Sequence, residues 1–128
     1  MLSFLKKIYR RKQEKEVYLK FCQLATISEM FETGLNADIF NESGDPNKIV
    51  IGHHTRILGT LQCKKNATIK IGNYSVIQDR VALQCLEQIN IGSYVAVASG
   101  TVICDNNNHS IDPVEWIKHR LRTSPGGK

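Results

Sequence analysis

Through the middle of the chain, apolar or small residues fall at every second position in short runs. Ile49/Ile51, Thr55/Ile57 and Leu61/Cys63 each mark two inward steps of a strand with one buried face. Such pairs, recurring at even intervals, predict three short strands separated by bends. The same phrase then recurs as Ile69-Lys70-Ile71-Gly72-Asn73-Tyr74-Ser75-Val76-Ile77 and as Ile89-Asn90-Ile91-Gly92-Ser93-Tyr94-Val95-Ala96-Val97. The copies are evenly spaced, Ile51 standing as far before Ile71 as Ile71 before Ile91. Carried forward, that spacing predicts that Leu61, Val81 and Thr101 share one column, and Cys63, Leu83 and Ile103 another.

No Asn-Gly or Asp-Gly hairpin signal separates the strands, so antiparallel pairing is not indicated. One turn of such a chain cannot bury its own apolar side, whereas stacking turn on turn does. The pattern predicts an all-β fold, a three-sided parallel coil of about three turns, filled by the Ile51/Ile71/Ile91 and Ile57/Ile77/Val97 columns. Gly52, Gly72 and Gly92 follow the first pair of each turn, where a corner is expected to need backbone conformations that a Cβ blocks. Residues 49–105 form this unit.

Residues 1–32 carry no repeat. Leu2, Leu5, Ile8, Tyr9, Val17, Phe21 and Leu24 recur at three- and four-residue steps, which predicts a helix. Residues 1–20 hold seven basic side chains against two acidic ones, and the rest of the chain is neutral. Such a helix is expected to cap the open end of the coil, shielding its strand edges. The competing reading is a peripheral contact with an anionic membrane. Nucleic acid is not expected, because the basic run lacks interleaved aromatics or a recognised motif. Residues 33–48 are rich in Gly, Asn, Asp and Pro and read as a turn-rich lead-in, with a first irregular strand at Ile39-Phe40.

Composition adds little beyond compartment. No apolar run approaches the roughly 20 residues of a membrane span, and the charged start does not open a secretory signal, so a cytoplasmic location is expected. Cys22, Cys63, Cys85 and Cys104 are widely spaced, and Cys63 sits in an apolar column. Free thiols are expected, with Cys63 acting as a small buried hydrophobe. The adjacent His53 and His54 read as surface residues. They and His109 lack the coil spacing of a metal site shared between turns, so no metal is expected.

The cadence Ile51-Gly52-x-x-Thr55, Ile71-Gly72-x-x-Ser75, Ile91-Gly92-x-x-Val95 resembles the hexapeptide-repeat acyltransferases. The resemblance spans roughly residues 38–120. It implies a left-handed parallel β-helix, a homotrimer with active sites between subunits, and acetyl-CoA as co-substrate. In the sugar O-acetyltransferase branch the catalytic histidine lies in a loop written roughly D-x-x-x-H-(S/P)-x-D. Here Asp105-x-x-x-His109-Ser110-x-Asp112 matches it, at the point where a further turn would begin. Residues 106–128 accordingly read as active-site loop and tail.

The resemblance implies acetyl transfer to a sugar hydroxyl, with modification of surface polysaccharide as the setting. That hydroxyl must lose its proton as it attacks the thioester. A histidine, whose unperturbed pKa is about 6.5, suits the task near neutral pH. His109 is thus expected to be the general base in a direct transfer with no covalent intermediate. Asp105 and Asp112 are candidates to orient the imidazole, and Asn106, Asn107 and Asn108 to hold acceptor hydroxyls. An oxyanion donor is expected too, but the turn Ile77-Gln78-Asp79-Arg80-Val81-Ala82-Leu83-Gln84 offers no matching asparagine. Relatives of this type continue into further coils, often reading I-x-I-G-x-x-x-W-I-G, which form most of the CoA groove. No such phrase follows His109, and no Ile-Gly precedes Trp116 at the required distance. The sequence therefore assigns no cofactor-binding residue, and a non-catalytic β-helix binding or scaffold module is the alternative reading.

Overall fold

Alternation along a short strand leaves every second side chain pointing inward. A computed structural model describes residues 2–106 and shows where they point. Residues 107–128, with Asn107, Asn108, His109, Asp112 and Trp116, lie outside the described part. One helix, α1 (Leu2–Leu24), precedes a parallel β-solenoid of about four turns. The first wall consists of β1 (Thr26–Ile27), β4 (Ile49–Ile51), β7 (Thr68–Ile71) and β10 (Gln88–Ile91). The second holds β2 (Glu32–Thr33), β5 (Arg56–Ile57), β8 (Val76–Ile77) and β11 (Ala96–Val97). The third holds β3 (Asp38–Asn41), β6 (Thr60–Cys63), β9 (Ala82–Cys85) and β12 (Val102–Cys104). Every pairing is parallel.

The isoleucine columns are interior as expected, with Ile49, Ile51, Ile57, Ile69 and Ile77 at zero exposure. Each such side chain contributes about 1.5–3 kcal/mol through burial. The hydroxyl position of the repeat is interior too. Thr55 and Ser75 are buried, and each Oγ donates to the carbonyl of the glycine on the next turn, Gly72 and Gly92, at 2.7 Å. A buried hydroxyl is tolerable only when paired in this way.

Three features depart from the sequence reading. The helix stops at Leu24, and the segment read as helix end and lead-in forms the first turn, with Ile27 in register with Ile51 and Ile39 with Leu61. Ser28 N donates to Ile51 O just as Gly52 N donates to Ile71 O. On the third wall the expected columns fail between the first two repeats. Leu61 pairs with Leu83 rather than Val81, and Cys63 with Cys85 rather than Leu83, while Leu83 does pair with Ile103. Two residues join β5 to β6 where four join β8 to β9, and the next corner restores the count, four between β6 and β7 against two between β9 and β10. Finally, Gly52, Gly72 and Gly92 do not take the left-handed backbone. It falls two residues later, on His54, Tyr74 and Tyr94 at φ of 56°, 53° and 59°. Stacked rings support those corners, with centroids 4.7 Å apart for His54 on Tyr74 and 5.3 Å for Tyr74 on Tyr94.

The end of the solenoid is closed by the second half of α1. Phe21 is fully buried, its ring 5.4 Å from that of Phe31, and Val17 and Leu24 pack beside it. Lys20 pairs with Asp38 and sits over the Phe40 ring. Removing the Phe21 ring leaves a cavity over the first turn, so Phe21→Ala is expected to cost about 3 kcal/mol in denaturant unfolding. A change below about 1 kcal/mol would mean that the helix does not seal the core. Among the described residues no helix is long and apolar enough to cross a membrane.

Candidate functional site

The last described strand, β12, ends at Cys104, and the next residue is Asp105. Its carboxylate is turned back onto the corner between β9 and β10. Oδ1 accepts from Leu86 N at 2.6 Å, and Oδ2 from Glu87 N and Gln88 N at 2.7 Å each. These are three successive N–H groups that a corner would otherwise leave to water. The bond from Leu86 is the chief reason the carboxyl titrates below its ordinary range, with the Glu87 and Gln88 bonds acting the same way against partial desolvation. The sequence reading has Asp105 orienting the imidazole; in the structure its carboxylate ties the end of β12 to the corner beneath.

A group whose folded pKa is depressed contributes stability above its unfolded pKa and loses it as pH falls through the folded value. Asp105→Ala is therefore expected to cost about 1 kcal/mol at neutral pH, allowing for solvent screening at this exposed corner. The difference from the native chain should shrink as pH falls below the ordinary carboxylate range and through the depressed folded value. Unfolding midpoints compared across pH check this, and a gap that persists in acid would assign the loss to packing.

Register on the third wall places Phe40, Gln62, Gln84 and Cys104 in one outward row. Beside the Leu86–Glu87 corner this row opens into a cleft of about 210 Å³ bounded by Gln62, Lys64, Gln84, Cys85, Leu86 and Asn106. It adjoins a second of about 300 Å³ lined by Phe40, Glu42, Gln62, Cys63 and Lys64. Lys64 pairs with Glu42 at 3.2 Å. Asn106 Oδ1 is enclosed without a hydrogen-bond partner among the described residues. Side-chain amides offer both donors and acceptors, so this surface suits a neutral, hydroxyl- or amide-bearing ligand.

Neither thiol under this face is a ready nucleophile. Burial raises the Cys63 thiol, and Cys85 is pushed up to about 11, chiefly by burial and then by the Asp105 and Cys63 charges. Cys85 Sγ donates to Thr68 O at 3.2 Å. All four cysteines are free, and the thiolate needed for attack is scarce at neutral pH for these two.

His53 and His54 belong to a different corner. Their Nδ1 atoms lie 2.9 Å apart, and His54 joins the aromatic ladder by stacking on Tyr74. A cleft of about 270 Å³ lies beside it, lined by Met30, Glu32, His54, Thr55, Arg56 and Val76. Among the described residues no cluster of three metal-ligating side chains occurs. Of the site residues expected from sequence, Asp105 and Asn106 are thus at one corner, and Asn107, Asn108, His109 and Asp112 fall outside the described part. The Gln62/Gln84 row was missed. Its signal was available in two matching Leu-Gln-Cys triplets, Leu61-Gln62-Cys63 and Leu83-Gln84-Cys85, which the register superimposes. Comparison with models of known protein families, with curated proteins and with solved structures gives no match.

Proposed function

We propose that this protein is an acetyl-CoA-dependent O-acetyltransferase acting on a sugar hydroxyl, built on a left-handed parallel β-helix and working as a homotrimer in the cytoplasm. The observation that supports it is the anchored end of β12. Asp105 ties the end of the third wall to the turn below, beside a row of amides, and four residues later the sequence supplies a histidine. A base this close in sequence to an anchored residue can be kept in register with an acceptor, which is what positioned proton transfer requires.

In this reading His109 takes the acceptor's hydroxyl proton as its oxygen attacks the thioester carbonyl. The C–S bond then breaks, and the imidazolium returns the proton to the departing CoA thiolate. Asn106, Asn107, Asn108 and Asp112 hold the acceptor and orient the ring. The raised Cys63 and Cys85 thiols agree with a route that has no acyl-cysteine intermediate. The test is release of CoA thiol from acetyl-CoA with and without glycan acceptors. Acceptor-dependent release supports the proposal. Absence of release, together with absence of acetyl-CoA binding by calorimetry, overturns it and favours a β-helix module that binds a partner without chemistry.

A further inference from the structure

Capping accounts for only half of α1. The buried face of the helix is made by Val17, Phe21 and Leu24, all in its second half. Across residues 2–12 every side chain is exposed, including Leu2 at 75%, Phe4 at 64% and Tyr9 at 64%. Projected at about 100° per residue, Leu5 and Ile8 point roughly 140–160° away from Phe21 around the axis. This apolar side therefore faces away from the solenoid, and nothing among the described residues covers it.

The first ten residues of α1 separate into two sectors. On the same projection of about 100° per residue, Phe4, Ile8, Leu5, Tyr9 and Leu2 fill an arc of roughly 160°. Lys6, Arg10, Lys7 and Arg11 fill the remainder, with no apolar residue among them. Residues 2–11 hold four basic side chains and no acidic one, and Lys12, the next residue, projects between Ile8 and Leu5. Averaged over the whole of α1 the amphipathic pattern is weak, because the apolar side of the first half and that of the second half point in different directions. One helix thus carries two separate apolar faces.

We propose that the first half of α1 is a membrane-surface anchor. It lies in the interface of a bilayer with anionic headgroups, with its aliphatic and aromatic side chains among the upper acyl carbons. Charge complementarity selects this occupant: Lys6 and Arg11 border the apolar arc, where long cationic side chains can reach headgroup phosphates. Because the solenoid hangs from the other side of α1, a flat surface can meet the apolar arc without meeting the β-strands. The reaction proposed above plays no part in this inference.

The experiment uses the full chain and sedimentation with vesicles of phosphatidylcholine alone or mixed with about one-third phosphatidylglycerol. The native protein is expected to pellet with the anionic vesicles and to stay in solution with the neutral ones. Leu5→Glu/Ile8→Glu, at exposed positions that leave the solenoid intact by circular dichroism, should lower partitioning at least about tenfold. Lys6→Glu/Arg10→Glu should do the same, and high salt should weaken native binding. Equal partitioning to both vesicle types overturns the proposal. So does binding that survives Leu5→Glu/Ile8→Glu, since the charges alone would then account for it. A native assembly that those substitutions dissociate, with no lipid binding by either form, would overturn it too and show instead that the face joins copies of this chain.

Discussion

Gly72→Ala is expected to destabilise the protein by about 3–5 kcal/mol, at the severe end for a single methyl. Gly72 sits at ordinary negative φ, so alanine fits its backbone conformation. The obstacle is the neighbouring turn. A Cβ at Gly72 would lie 2.6 Å from the Gly92 carbonyl carbon and 2.6 Å from Ser93 N. Both are backbone atoms held beside the parallel ladder of β7 and β10, so relief requires the turns to part and the bond from Gly72 N to Ile91 O to lengthen. Gly92 occupies the same place in the repeat, yet among the described residues a Cβ there meets only Val95 Cγ2 at 3.8 Å. Gly92→Ala should change stability by less than about 1 kcal/mol. Denaturant midpoints for the two variants decide the matter, and equal losses would mean that the repeat's glycine serves the corner conformation after all.

Replacing His109 by alanine should lower acceptor-dependent thiol release by about 100- to 10,000-fold with acetyl-CoA binding retained, the range that positioned general bases supply. In free energy this is about 3–5 kcal/mol of transition-state stabilisation. The calorimetric arm matters, because a variant that fails to bind acetyl-CoA has lost more than a base. Should native protein and His109→Ala release thiol at the same acceptor-dependent rate, the proton must leave by another group.

The solenoid was legible because its core is spelled at constant spacing: Ile51, Ile71 and Ile91 sit one turn apart with nothing inserted on the first two walls. The first turn was hidden by substitution and by length. Ser28 stands where the later copies have glycine, and Phe31 where they have a hydroxyl or valine. Ile27 also lies further along the chain from its partner Ile51 than Ile51 does from Ile71, because residues 42–48 lengthen one corner. The displaced third wall was hidden because a shortened corner and a lengthened one cancel, leaving the repeat spacing intact on either side. At the site, sequence singled out the polar stretch that begins at Asp105. It could not say that Asp105 turns back to three N–H groups, since that depends on where the corner below happens to lie.

The two-residue exchange between corners has an engineering consequence. Straight segments of this chain carry the registration, and bends act as independent slack, so a peptide grafted at a bend should be absorbed there without propagating to the next storey. The same tolerance would let a lineage of such proteins acquire or discard projecting loops while the stacked walls stay unchanged.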